Sequence, residues 1–347
     1  MSIPPPTQAP PRRSLTRQRL GRGLLSVLAL GSVALGYLGV VPPNLSNLAS
    51  HPNPAGSYAE ALERVAALQA SEASGYNPLC VTQLLTHGHK TDRAIAFIHG
   101  YTNCSNQFLP LGRQLYDLGY NVLLVPSPHQ GLADVMTTDL SNLTAEELAA
   151  YADTVVDIAR GLGDHVSLGG LSQGGVVAGW AAQVRPDLDQ AILIAPGFGL
   201  RAIPRPLTVL AANIVLGLPD VYAWWGLPPP GGVAGPLDPA GKQGYPRFSL
   251  HGLAQQLRLG FATTALARRA APAARSILVI TNDSDLAVDD GTTAALVAAW
   301  RAHGAANITT YTFPALQKLP HDLVDPGEPN SNIALTYPKL IELITAP

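Results

Sequence analysis

Residues 170–174 read Gly170-Leu171-Ser172-Gln173-Gly174, a serine with a glycine two places to either side. The strand-like run 165–168 precedes it and a stretch of small residues, 175–182, follows. This pattern calls for a strand, a sharp turn and a helix, with the serine at the apex. Small neighbours are needed because the serine backbone is strained and the strand and helix crowd around it. The hydroxyl then projects from the end of a sheet, beside the amide-rich start of a helix where developing negative charge is stabilised. Ser172 is therefore a candidate nucleophile. The pentapeptide alone is equally a Gly-rich turn closing a βα unit. What separates the two is whether a base, an acid and oxyanion donors arrive in an order that one fold can deliver.

The 347 residues suffice for a full core, and only 13% are charged. No repeat, long charge run or Cys/His cluster at metal-ligand spacing is present, so no metal site is expected. The first 22 residues hold five of the 22 Lys and Arg and none of the 24 Asp and Glu, leaving 17 basic against 24 acidic residues elsewhere. That acidic remainder argues against a nucleic-acid partner. The five arginines directly precede residues 23–41, a stretch of 19 without a charge, close to the length that spans a bilayer as a helix. Residues 1–22 are thus expected to stay cytoplasmic, with 23–41 as a transmembrane signal-anchor sending the rest to the extracytoplasmic side. Cleavage as a signal peptide, with secretion, is the rival. It is disfavoured because the run is long and no small-x-small site follows it. Residues 42–56, rich in Pro, Asn and Ser, read as a linker, and the main domain is expected to span 57–347. The only cysteines, Cys80 and Cys104, both follow the anchor. Export would permit a disulfide between them, and two buried thiols are the alternative.

From about residue 94, strand-like and helical patterns alternate: strands at 94–98, 121–125, 165–168, 190–195, 276–281 and 307–313, with helices at 108–118, 144–160, 291–303 and 331–344. A helix at 58–70 comes before them. Short apolar strands between helices indicate an α/β fold with a mostly parallel sheet covered on both faces. The stretch of about 197–274 is too long for a connection. It contains the apolar run 207–218, the pair Trp224-Trp225 and Pro228-Pro229-Pro230, and reads as a cap or lid over the carboxyl edge of the sheet.

The remaining machinery can be placed on this frame. His99-Gly100-Tyr101 follows the strand 94–98, where a loop can supply one oxyanion amide, and the residue after the nucleophile supplies the other. The candidates are the backbone N–H groups of Tyr101 and Gln173, and His99 is expected to hold the loop. After the strand 276–281, Asp283, Asp285, Asp289 and Asp290 compete as the acid. Asp285 is preferred, three residues past the turn residue Asn282, with Val288 returning the chain to the core. Asp289 and Asp290 suit a helix N-terminus. After the last strand comes His321 as the base, whereas His303 ends a helix. Neutral His321 would take the Ser172 proton and Asp285 would fix its tautomer.

With these residues in view, the chain resembles the α/β-hydrolase superfamily, in its carboxylesterase and monoacylglycerol-lipase-like branch. The matching pieces are His99-Gly100-Tyr101, the 170–174 elbow, Asp285 with Val288, and His321-Asp322. The order Ser, Asp, His at spacings of 113 and 36 residues fits as well. Pro126-Ser127-Pro128-His129-Gln130-Gly131 is similar to the family's Pro-Gly-His-Gly turn, with Pro in place of Gly before His129. Asn282 stands where many members have Gly. The resemblance covers about residues 80–345. It implies a serine esterase that forms an acyl-serine intermediate without a cofactor, and the apolar lid with Trp224 and Trp225 suggests hydrophobic, lipid-like acyl esters as its substrates. A peptidase or amidase, an acyltransferase, and a non-catalytic envelope protein of the same fold are the alternatives.

Overall fold

The computed structural model describes residues 32, 36–226, 244–305 and 307–346. Nine strands are described: β1 Gln83–Leu85, β2 Thr91–Ile98, β3 Asn121–Val125, β4 Gly163–Leu171, β5 Gln190–Ile194, β6 Tyr222–Trp224, β7 Arg247–Ser249, β8 Ser276–Asn282 and β9 Ile308–Phe313. Seven form one sheet in the order β1-β3-β2-β4-β5-β8-β9. Only β1 runs antiparallel to its neighbour. The inner strands are short and almost wholly apolar because both sheet faces are covered; every residue of Asn-Val-Leu-Leu-Val in β3 is buried. Alternation along β2 separates the two layers. Ala94, Ala96 and Ile98 join the core under helices Ala145–Leu162, Gln173–Val184 and Leu250–Ala267, while Ile95 and Phe97 join the one under Leu109–Asp117 and Ile333–Thr345.

The helix Ala145–Leu162 starts where its sequence dictates. Thr144 accepts from the Glu147 amide and the Glu147 carboxylate accepts from the Thr144 amide, a reciprocal capping box that contributes about 1 kcal/mol.

Two expectations about domain boundaries change. The segment 42–56 is fastened to the domain. Arg258 donates to the Asn44 carbonyl (2.6 Å) and pairs with Glu146, and Leu45 and Leu48 pack on the core. Asp153 then accepts from Ser50 Oγ and the His51 amide, and Asp157 accepts from the Asn53 amide. Fully buried Arg185 bonds both carboxylates from beneath, at 3.0 and 2.6 Å. The polar composition that reads as a linker is thus a docked strap.

The cap is also shorter than 197–274. Leu200 bridges to Val288 at the sheet edge, and Leu250–Ala267 is a layer helix on the main body with most of its residues buried. What remains over the edge is helix Thr208–Gly217 and the antiparallel hairpin β6–β7; residues 227–243, with the three prolines, lie outside the described residues. So does most of the expected span at 23–41, of which 32 and 36–41 are described and 36–40 are helical. Among the described residues, no helix is long and apolar enough to cross a membrane.

Candidate active site

Because β2, β4, β5, β8 and β9 are parallel, the loops after each of them emerge at one carboxyl edge. The serine stands there at the end of β4. Ser172 has φ 54° and ψ −107°, a conformation that costs about 1–3 kcal/mol and persists only where its surroundings over-determine it. They do so here. The Ser172 amide donates to the Ile194 carbonyl, and the Ser172 carbonyl accepts from the amides of Val176 and Gly197. The flanking glycines are sterically required: a Cβ on Gly170 would collide with the Gly174 backbone, and one on Gly174 with the Ile98 carbonyl.

The loop after β2 lies against this elbow. A Cβ on Gly100 would stand 3.7 Å from the Ser172 Cβ. Buried His99 locks the loop. The Ser127 amide donates to His99 Nε2 (2.8 Å), so Nδ1 carries the proton and donates to the Gly100 carbonyl (2.8 Å). Burial pushes this imidazole down to about 4, keeping it neutral and in its expected holding role. The Gly100 amide donates to Gln107 Oε1 and the Thr102 amide to Gln130 Oε1, at 2.9 and 2.7 Å. Between them lies the Tyr101 amide. Gln130 Nε2 donates onward to Gln173 Oε1 (2.7 Å), which ties the loop after β2 to the residue after the serine. The Gln173 amide opens its helix, where no intrahelical acceptor exists. Just beyond, Cys80 and Cys104 form a disulfide with Cα atoms 5.1 Å apart, and Asn103 Nδ2 donates to buried Asp325 (2.9 Å).

The acid and base candidates meet on the loops after β8 and β9. His321 Nδ1 donates to Asp285 Oδ2 at 2.6 Å. Asp285 is 1% exposed, and its other oxygen accepts from the amides of Ala287 (2.7 Å) and Val288 (3.2 Å). Burial alone would raise this carboxyl, but the imidazole and the two amides outweigh it and hold it below its ordinary value. An ionised Asp285 only accepts, so the proton of neutral His321 sits on Nδ1, leaving Nε2 basic. The competing acids stand in different settings. Asp283 is exposed. Asp289 caps helix Asp290–Ala302 and pairs with Arg205. Asp290 is lifted to about 6 by burial and its neighbouring carboxylates. His303 ends that helix.

A family model for the serine aminopeptidase S33 group (Hydrolase_4) matches residues 89–230. Among solved structures, the chain is similar to a metagenome-derived lipolytic enzyme of the LipS and LipT pair (TM-score 0.56, 16% identity, 78% of this chain and 98% of that one). It is also similar to the monoacylglycerol lipase of Paleococcus ferrophilus (TM-score 0.54, 17% identity, 75% and 96%). The chain has the α/β-hydrolase fold. A soluble variant of Saccharomyces cerevisiae monoglyceride lipase aligns similarly (TM-score 0.52, 14% identity, 76% and 90%). None of the curated protein sequences matches it.

Several residues that shape this candidate site escape a reading of the sequence. Asn282 is fully buried at the end of β8, and its Nδ2 donates to the carbonyls of Leu319 (3.0 Å) and Pro320 (3.1 Å). It staples the acid turn to the two residues before His321. Its sequence signal is a polar amide at the end of an apolar strand, at the position where the superfamily resemblance leads one to expect glycine. Gln107 and Gln130 carry no such signal, because their roles depend on which amides the fold brings to them. His129, prominent in its motif, bridges Asp139 (2.9 Å) and Glu147 (3.3 Å).

Proposed function

We propose that this chain is a serine hydrolase that cleaves carboxylic esters with apolar acyl groups through an acyl-Ser172 intermediate. Ser172 Oγ attacks the ester carbonyl carbon while His321 Nε2 takes the hydroxyl proton, and Asp285 steadies the resulting imidazolium. The charge on the carbonyl oxygen is met by the amides of Tyr101 and Gln173, each worth about 3 kcal/mol of barrier. Collapse breaks the C–O bond to the alcohol, which leaves with the proton from His321. Water, deprotonated by the same nitrogen, then frees the carboxylate and restores Ser172. The single observation that carries this reading is the 2.6 Å Asp285–His321 contact on the sheet edge that also bears the strained serine.

The apolar acyl preference draws support from the rim. Trp225 stacks on Phe248 with ring centroids 4.2 Å apart, and its Nε1 donates to Thr102 Oγ1, next to the oxyanion loop. The lipolytic solved structures point the same way. The arginine block, the uncharged run at 23–41 and the Cys80–Cys104 bond, a pairing typical of oxidising compartments, support a membrane-anchored protein whose catalytic domain lies on the extracytoplasmic side. Peptide or amide cleavage is the second reading, favoured by the description of the matched family.

The test is a panel of p-nitrophenyl esters of graded chain length beside aminoacyl p-nitroanilides. Turnover of medium or long esters, abolished in Ser172→Ala, is expected. Turnover of anilides alone would select the second reading, and turnover of neither would end both.

A further inference from the structure

The helix Thr208–Gly217 is unusual for a protein surface. No charged residue occurs from Pro206 to Pro219, yet only Thr208 and Ala212 of the helix are buried. Leu207, Ile214, Leu218 and Val221 are 49%, 39%, 57% and 58% exposed. An apolar surface of this kind marks an interaction site, and the neighbouring chain indicates its occupant. Asn213, on the same helix, donates through Nδ2 to the carbonyls of Leu38 and Val41, both at 2.8 Å. These carbonyls belong to the last helical turn of the uncharged run 23–41, where the Val41 amide closes on Tyr37. Helix-end carbonyls need such partners, the more so where water is scarce. Tyr37 and Val40 on that turn are 62% and 77% exposed, so the apolar surface is continuous from the run to the cap helix.

The strap then prevents the domain from swinging away. Only Pro42 and Pro43 separate Val41 from Asn44, which Arg258 holds, and the Asp153–Asp157–Arg185 cluster secures Ser50 to Asn53. A flexible linker would uncouple an anchor from the orientation of its domain; this one is pinned from its third residue.

We infer that the cap helix Thr208–Gly217 and the last turn of the anchor form one surface that seats in the outer leaflet of a lipid bilayer. Seating turns the cap, and the site rim that Trp225 shares with Thr102, toward the membrane. Substrate would then be an amphiphilic ester drawn from the lipid phase. The seating rests on the proposal that residues 23–41 enter the membrane, and the substrate source rests in addition on the proposed ester hydrolysis; the quenching experiment reads the first without the second.

The experiment uses the full chain with phosphatidylcholine vesicles whose acyl chains carry bromine, which quenches tryptophan fluorescence on contact. Ile214→Trp is compared with Leu118→Trp, an exposed position that precedes β3 at the opposite edge of the sheet, each after subtraction of the parent chain. The expected result is that all three proteins float with the vesicles and that only the signal added at position 214 is lost. Flotation with both added signals retained, or with both lost, overturns the seating and leaves the anchor standing. Failure to float overturns the anchor and the seating together. Ile214→Asp in the full chain should lower hydrolysis of a long-chain monoacylglycerol in vesicles about tenfold, the effect of ~1.4 kcal/mol. Hydrolysis of a water-soluble short ester should not change. An equal loss on both substrates would instead make Ile214 a packing residue and contradict the seating.

Discussion

Replacing Asp285 by asparagine tests the acid–base geometry with the least steric disturbance. Asp285 Oδ1 already serves two backbone donors, the amides of Ala287 and Val288. An asparagine must leave its carbonyl oxygen there, which turns its NH2 toward His321 Nδ1 where Oδ2 now accepts. That NH2 donates, so Nδ1 has to lose its proton, and the neutral ring protonates on Nε2 instead. The wrong tautomer cannot take a proton from Ser172. From the loss of a correctly oriented base, we expect kcat/KM for ester hydrolysis to fall about 10³–10⁴-fold, or ~4–5.5 kcal/mol. The fold should survive, because both amide contacts are retained. The assay is hydrolysis of a p-nitrophenyl ester with matched circular dichroism. Asp283→Asn is the control, since Asp283 is exposed and should stay within about twofold. Retention of a tenth or more of the activity by Asp285→Asn, or a larger loss in Asp283→Asn, would refute the tautomer argument.

Three further outcomes follow from contacts nearby. Asn282→Asp replaces two donated hydrogen bonds to the Leu319 and Pro320 carbonyls with repulsion, displacing His321; a fall in kcat of about 10²-fold is expected, smaller in Asn282→Gly, and steady-state kinetics would register it. Arg185→Ala strands Asp153 and Asp157 as buried carboxylates, which costs about 3–5 kcal/mol and should lower Tm by roughly 10 °C, while limited proteolysis begins in the strap at residues 50–55. The Asp285 carboxyl is held below its ordinary value of 3.8, so its stabilisation is complete above that pH and is lost as the pH falls through the folded-state value. The Tm difference between the parent chain and Asp285→Asn should therefore narrow on acidification below 3.8, and a gap that widens would contradict the assignment.

The parts of this molecule that are legible in the sequence are those whose signals are local. β3 is read to the residue because five buried positions lie between a Gly-Tyr turn and a proline. The Thr144 capping box announces its helix, and the glycines at 170 and 174 announce the strained turn, because each rule acts within a few residues. β1 carries no sequence signal because it is three half-buried residues on an antiparallel edge. The helix Leu250–Ala267 was hidden within a long insertion; its internal Gly252 and Gly260 blur a helical pattern yet permit close packing on Tyr101 and Phe198. The strap read as a linker since its fastenings lie over 100 residues away, at Asp153 and Asp157. Asn282 is legible as a turn residue and as a departure from the family pattern, but its stapling role is not, because its carbonyl partners come from another loop.

The claim on which the rest depends is that Ser172 is the nucleophile, and a covalent adduct tests it most directly. The 347-residue chain should be treated with a fluorophosphonate probe, digested, and its peptides mapped by mass spectrometry. The account predicts one phosphonylated site, on Ser172, absent from Ser172→Ala and strongly slowed in Asp285→Asn. Persistent labelling of Ser172→Ala, or an unlabelled Ser172 in the folded parent chain, would contradict it.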